Sequence, residues 1–279
     1  MSDPARDRWL EAHASLRPLA DLCEAVASNA AALVRETAPL PEWERYAGDY
    51  AEGVPLLRSE AAAVNLTPAG SMAMALVARA AAGAAGESID EEAAALAEDL
   101  ASRSDAADAI GDWLRGDGFQ PRFPGLLRLL AWAVAARYLA PVIAAFARWR
   151  DDERWHRRYC PTCGSGPAMA QLLAVDSARQ RLLACGACRT KWRYRRTQCP
   201  FCEEDRQSIS TLRVGGGGED EAVLRIDVCE ACRGYLKTLE GQGREDLLLA
   251  DWTSLHLDLL AGDRGLVRRA SSLFELPAP

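Results

Sequence analysis

Eight of the nine cysteines in this 279-residue chain stand in four C-x-x-C pairs: Cys160 with Cys163, Cys185 with Cys188, Cys199 with Cys202, and Cys229 with Cys232. A C-x-x-C turn brings two sulfurs near one point. A hairpin that returns a second such turn completes a tetrahedron of thiolates, a donor set suited to zinc or to a single iron. The pairs form an internal duplication, CPTC, hairpin, CGACR and then CPFC, hairpin, CEACR, with 21 and 26 residues between the pairs inside each unit and 10 between units. Each unit is therefore expected to bind one metal, the first through Cys160, Cys163, Cys185 and Cys188, the second through Cys199, Cys202, Cys229 and Cys232. Two metal ions per chain follow.

Other chemistry can be weighed at the same residues. A disulfide framework belongs to short secreted chains, and this chain is long and has no basic and apolar leader at MSDPARDRW, so a cytoplasmic location is expected. A thiol-disulfide oxidoreductase needs an isolated C-x-x-C at a helix N-terminus in a βαβ setting, which CPFC lacks. A two-ribbon nucleic-acid-binding protein is the stronger rival. Arg189-Thr-Lys-Trp192-Arg193-Tyr194-Arg195-Arg196 alternates cations with aromatics, a pattern that could follow phosphates and stack bases. The segment 148–213 carries 14 Lys/Arg against 7 Asp/Glu, although the whole chain has a net charge of −7. The acidic remainder argues against nucleic acid. The same arginines can offset the negative charge of tetrathiolate centres, and the aromatics can cover a ribbon core.

Cys23, in LADLCEAVA, reads as a core residue. His13, His156 and His256 are scattered and make no catalytic set. Gly215 to Gly218 lacks the Lys-Ser/Thr ending of a phosphate loop and reads as a hairpin tip.

The elements that must position the cysteines divide at about residue 157. Residues 1–157 show alanine and leucine at helical spacing, with starts expected at Asp3-Pro4, at Thr67-Pro68 with Thr67 as N-cap, and at a Ser88/Glu91 capping box. Leu129 to Ala147 is apolar over 19 residues, but Arg137 at its centre makes membrane insertion costly. A core helix kinked at Pro141 is expected instead. Beyond residue 157, Met169–Asp176 with Arg179–Cys185, and Ile209–Val214 with Ala222–Cys229, read as two hairpins. The fold class is α+β, mainly α. A helical domain (1–157) precedes two metal-binding modules (158–196 and 197–246) and a C-terminal helical segment (247–279).

Two resemblances add to this reading. The turn Cys160-Pro-Thr-Cys163-Gly164 resembles the knuckle of rubredoxins, which makes the modules rubredoxin-like or zinc-ribbon-like and favours iron, with zinc as the alternative. The ordered set CPTCGSGP, CGACRTKW, CPFC and CEACRGYLK, followed by LHLDLLAG, resembles the formate dehydrogenase accessory protein FdhE family. That resemblance implies a cytoplasmic, non-enzymatic accessory factor, with the eight cysteines as metal ligands. The implied partner is the molybdenum-containing catalytic subunit of respiratory formate dehydrogenase before its export. Arg189, Trp192, Arg193, Tyr194, Arg195, Arg196 and Arg233 are the expected docking residues.

Overall fold

Among the described residues, the alanine- and leucine-rich half folds into eight α-helices: α1 (Pro4–Ala12), α2 (Arg17–Leu33), α3 (Trp43–Glu52), α4 (Thr67–Ala81), α5 (Asp90–Ala101), α6 (Ala106–Arg115), α7 (Pro124–Tyr138) and α8 (Ala140–Trp149). These come from a computed structural model that describes residues 4–85, 89–175, 178–205, 208–213 and 223–274. Asp3, Ser88 and Gly215 to Gly218, to which sequence features were assigned, lie outside the described residues.

Thr67 corrects one expectation. It is the first residue of α4, not its cap: the N-cap position falls to Leu66, and Pro68 occupies the first turn. The Thr67 hydroxyl instead donates to Asp108 Oδ1 at 2.6 Å, tying α4 to α6. The apolar stretch before Pro141 does break as expected, with α7 and α8 meeting at 66° across Leu139. Leu127, Leu130, Val134, Leu139, Val142 and Phe146 are all buried. Among the described residues no single helix is long and apolar enough to cross a membrane.

The cysteine-bearing half forms one seven-stranded mixed sheet. Its strands are β1 (Met169–Val175), β2 (Ala178–Ala184), β3 (Lys191–Arg193), β4 (Ile209–Arg213), β5 (Leu224–Cys229), β6 (Gly234–Glu240) and β7 (Val267–Arg268). The order is β3-β2-β1-β6-β5-β4, with β7 paired to β6. Both expected hairpins are present, antiparallel, as β1/β2 and β4/β5. Each unit also has a third strand that follows its second knuckle, β3 after Cys188 and β6 after Cys232, so the duplication extends to knuckle, strand, strand, knuckle, strand. The two units are fused by parallel pairing of β1 with β6, Met169 opposite Lys237 through Leu172 opposite Glu240. Both central strands are buried at most positions, as strands covered on both faces must be.

Beyond β6 the chain returns to helix in α9 (Glu245–Leu248) and α10 (Leu255–Gly262). It does not stay helical. After Gly262 and Gly265 it extends, and β7 pairs with Gly234 and Tyr235. The N-terminal helix α1 packs here as well as on α2: Trp9 is buried with Met169, Tyr235, Leu248 and Leu257, its indole N–H donates to Thr253 O at 3.1 Å, and Arg6 on the same helix donates to Glu24 and to Ala20 O of α2.

A buried ionic lattice fixes this end of the sheet. Lys237 Nζ lies 2.7 Å from both Asp251 Oδ1 and Asp258 Oδ2, and Arg268 reaches the same two carboxylates at 2.7 and 3.1 Å. Tyr235 OH donates to Asp258 Oδ1 at 2.7 Å. Two cations face two anions, so the buried charge cancels. Burial pushes the Asp251 carboxyl up, but Lys237 and Arg268 outweigh burial and hold it below its ordinary value. Its stabilising contribution is therefore complete above the unfolded carboxylate pKa of about 3.9 and is lost as pH falls below that value.

Lys237→Ala strips one cation from a buried lattice and is expected to cost about 3–5 kcal/mol. In a thermal melt this lowers Tm by roughly 10 °C. Breaking the exposed Arg45–Glu42 pair by Arg45→Ala is expected to leave Tm within about 2 °C. Equal melting of the two variants would contradict the role assigned to the lattice.

Candidate metal centres

The two units gather their sulfurs into two clusters, Cys160, Cys163, Cys185 and Cys188 in one and Cys199, Cys202, Cys229 and Cys232 in the other, each with all four Sγ atoms within 4.8 Å of one another. In the first, Cys160 and Cys188 sulfurs are 3.4 Å apart and Cys163 and Cys185 sulfurs 3.5 Å. In the second, the Cys199–Cys232 and Cys202–Cys229 separations are 3.9 and 3.6 Å. A tetrahedron with metal–sulfur bonds of about 2.3 Å has edges near 3.8 Å. The separations fit that figure and are far longer than a disulfide bond of about 2.05 Å. Each cluster could hold one metal ion.

The knuckles share one backbone device. The residue after the second cysteine has positive φ in all four: Gly164 at 79°, Arg189 at 60°, Glu203 at 65° and Arg233 at 57°. This turn lets the backbone double back, with Gly164 N–H donating to Cys160 O and Glu203 N–H to Cys199 O, both at 2.9 Å. Only the first knuckle carries glycine there. The other three hold L-residues in the left-handed region at a cost of about 1–3 kcal/mol each, strain that persists where the surroundings dictate it. The departure from the rubredoxin pattern is thus one of side chain and not of conformation.

The first centre is built into the main core. Its four cysteines are buried and belong to the same apolar cluster as Leu56, Leu57, Trp155 and Trp192. The turn before α4 clamps the knuckle directly, Leu56 N–H donating to Pro161 O and Leu57 N–H to Thr162 O at 2.9 Å each. Tyr159 OH adds a bond to Gly53 O at 2.8 Å. Two buried threonines that the sequence did not single out complete it: the Thr162 and Thr190 hydroxyls lie 2.8 Å apart, and Thr190 Oγ1 is 3.2 Å from Cys188 Sγ. Burial pushes the Cys160 thiol well up, and hydrogen bonding with Cys160 pushes Cys185 up as well. Hydrogen bonds from Cys160, Cys185 and Cys188 hold Cys163 well below the usual thiol range. A metal entering the cluster binds thiolates, so it displaces the thiol protons the cluster holds.

The second centre stands at the surface. Cys199 and Cys229 are buried, Cys232 is half-buried and Cys202 is exposed. Phe201 N–H and Gly234 N–H approach Cys199 Sγ and Cys232 Sγ at 3.4 Å each. Arg181, on β2, is buried between the units and lines a cleft with Cys199, Cys229 and Asp227, a cation placed beside the thiolates.

The expected docking residues separate. Arg189, Arg195, Arg196 and Arg233 are exposed; Arg193 is half-buried and pairs with Glu153. Trp192 and Tyr194 are corrections, for both are buried. The Trp192 indole donates to Arg157 O at 3.0 Å inside the core, and the Tyr194 ring lies under the Arg181 guanidinium. Neither ring is available to stack on a base or a partner. Cys23 is half-buried, and burial raises its thiol to about 12 despite Arg6 and Arg189. His13 and His256 are not scattered: their rings stand 4.8 Å apart, with Trp9 stacked on His13.

Known proteins resemble this chain in sequence and in fold. The family described as "FdhE, central domain" matches residues 159–196, and "FdhE, C-terminal domain" matches 197–274. A "Protein FdhE homolog" of Pseudomonas aeruginosa is 36% identical over 126 residues, 43% of this chain and 40% of that protein. One of Aquifex aeolicus is 31% identical over 148 residues, 47% of each chain. "Protein FdhE" of Escherichia coli is 29% identical over 151 residues, 52% of this chain and 47% of that protein. The matched stretches therefore span less than half the length of these relatives. The crystal structure of the FdhE protein from Pseudomonas aeruginosa superposes with a TM-score of 0.57 at 23% identity, covering 92% of this chain and 95% of that one, a likeness of fold.

The contrast in burial predicts stepwise metal loss. A chelator added to protein loaded at both centres should remove about one metal per chain quickly, with the second retained until the protein is denatured. In the metal-free protein under reducing conditions, iodoacetamide should label Cys202 ahead of Cys160, Cys163, Cys185 and Cys188, read by mass spectrometry. Simultaneous loss of both metals would contradict the asymmetry.

Proposed function

We propose that this chain, which belongs to the FdhE family, is a non-enzymatic accessory factor for the maturation of formate dehydrogenase, acting in the cytoplasm on the molybdenum-containing catalytic subunit before export. The observation that carries the reading is the pair of four-sulfur clusters in a member of this family. A metal held by four thiolates has no open coordination position for substrate, which suits a centre that shapes a surface or responds to redox conditions more than one that turns over. Both centres are taken to hold iron, with zinc as the alternative. The CPTCG knuckle and its left-handed Gly164 support the iron assignment.

The docking surface is narrower than the sequence suggested. With Trp192 and Tyr194 in the core and Arg193 paired with Glu153, the proposed contacts reduce to Arg189 at the first centre and Arg195, Arg196 and Arg233. Burial of the aromatics also weakens the nucleic-acid alternative, because a cation stripe without stacking rings offers phosphate contact alone.

Two measurements test the reading. Metal content should be two per chain, and a ferric tetrathiolate centre gives visible colour where zinc gives none. Pull-down of the catalytic subunit should be lost on Cys199→Ser with Cys202→Ser, and should fall on Arg195→Glu with Arg196→Glu while metal content stays at two. Undiminished capture by all of these variants would refute the docking role.

A further inference from the structure

The chain after α10 runs back across both metal units. Val267 and Arg268 pair with Gly234 and Tyr235, and Val267 N–H donates to Arg233 O at 2.8 Å, directly after the last knuckle of the second unit. Arg269 then donates from Nε and Nη2 to the carbonyl of Cys232, at 3.3 and 3.1 Å. Two residues further the same segment has reached the first unit, where Ser271 N–H donates to Pro167 O at 3.1 Å. Residues 267–272 thus form a strap laid over one knuckle of each centre.

The close approach depends on glycine at both ends. A Cβ on Gly234 would meet Arg269 Cδ at 2.8 Å, and one on Gly186, inside the Cys185–Cys188 knuckle, would meet Ser271 O at 3.2 Å. The strap is also fastened from beneath. Arg268 reaches Asp251 and Asp258 at 2.7 and 3.1 Å, and the buried Ser272 hydroxyl donates to Asp251 Oδ2. Asp251 has φ of 58°, at the centre of a tight turn in which Trp252 N–H donates to Ala250 O at 2.6 Å. A residue other than glycine is strained there and persists where its surroundings dictate it. Here they are Lys237, Arg268 and Ser272.

The burial of the cysteines gives the strap a task. Cys232 is half-buried and Cys202 exposed, and a knuckle at the surface opens by local unfolding at small cost. The bonds to Cys232 O and Arg233 O tie that knuckle to the buried lattice. We propose that residues 267–272 are a clasp that holds the second centre closed, and that their fastening at Asp251 sets how fast this centre exchanges its metal. Arg269 is a positioning residue, holding the backbone of Cys232 and ligating nothing. The clasp rests on the cysteine clusters holding metal and is independent of the formate dehydrogenase reading.

The test uses the full-length protein loaded with zinc at both centres. A coloured chelator reads the released metal, and iodoacetamide labelling with mass spectrometry maps the cysteines set free. Arg269→Ala removes two hydrogen bonds and is expected to speed release from Cys199, Cys202, Cys229 and Cys232 about tenfold, with the metal on Cys160, Cys163, Cys185 and Cys188 retained. Arg269→Lys keeps one donor and should fall between that variant and wild type. Ser272→Ala alters only the anchor, and should speed the same release about threefold to tenfold. In the metal-free protein under reducing conditions, both alanine variants should label Cys232 faster than wild type does. That labelling decides the clasp even if zinc uptake, which tests the metal reading, fails. Release and labelling unchanged in both variants overturn the proposal. Acceleration by Arg269→Ala alone also overturns it, since the arginine would then be a local prop, and so does equal acceleration at the two centres, which marks general destabilisation.

Discussion

Four thiolates repel one another, and no helix or strand by itself brings four sulfurs within reach of a single ion. The backbone must force the meeting before a metal can stabilise it, and most of this molecule follows from that constraint. Each knuckle reverses the chain within four residues, at the cost of a left-handed residue after its second cysteine. Each pair of knuckles is then carried together by an antiparallel hairpin, and the strand after the second knuckle closes the unit into a three-stranded sheet. A unit of that size buries too little apolar surface to hold such strain by itself. The parallel seam between β1 and β6 joins the two into one sheet, and α1, α9 and α10 cover it, with Trp9, Met169, Leu239 and Leu257 in their shared core.

The positive island in an acidic chain is largely consumed by this construction. Arg150 pairs with Asp152 and Lys191 bonds Gln171; Arg157 and Arg158 cap the carbonyls of Glu52 and Phe201; Arg181 is buried between the units. Of the expected docking residues, Arg189, Arg195, Arg196 and Arg233 stay exposed. A phosphate backbone is followed by an extended track of free cations, and each neutralised phosphate adds to the salt dependence of binding. Four exposed arginines are fewer than such a track needs, and they would suit the proposed protein partner, where a few complementary charges set register and approach.

How much of this could be read in the sequence depended on the range of the interaction. The cysteine pairing was legible because C-x-x-C spacing is a local rule and because it occurs twice. The two hairpins were legible from their apolar runs. The third strands were not: Lys191–Arg193 is three residues long with two of them cationic, and Gly234–Glu240 hides its burial behind Lys237, a residue type almost never buried unless paired. Lys237 becomes intelligible only with Asp251 and Asp258, which lie 14 and 21 residues further on. Trp192 and Tyr194 were misjudged for the related reason that flanking arginines make a strand look solvent-facing, although alternate side chains point to opposite faces. His13 and His256 meet because α1 packs on α10, a contact across 243 positions that no local pattern encodes.

Duplicated units usually share a surface, yet here their surroundings divide the work. The helical half spends its contacts on one knuckle: the backbone of Leu56 and Leu57, the hydroxyl of Tyr159 and the packing of Arg58 all converge on residues 159–164. The four sulfurs of the first centre lie inside the main core, so a metal held there would be coupled to the fold of the helical half. At the second centre Phe201 packs on the edge of the main core, and its carbonyl accepts from Arg158 at the start of the first unit. With Cys202 at the surface, its ligands can exchange or oxidise at the expense of local structure alone. One sheet thus carries a centre locked into the core and a centre open to solvent. The same arrangement of knuckles and strands, used twice, meets two different environments because the helical half packs on one copy's first knuckle through Leu56, Leu57 and Arg58.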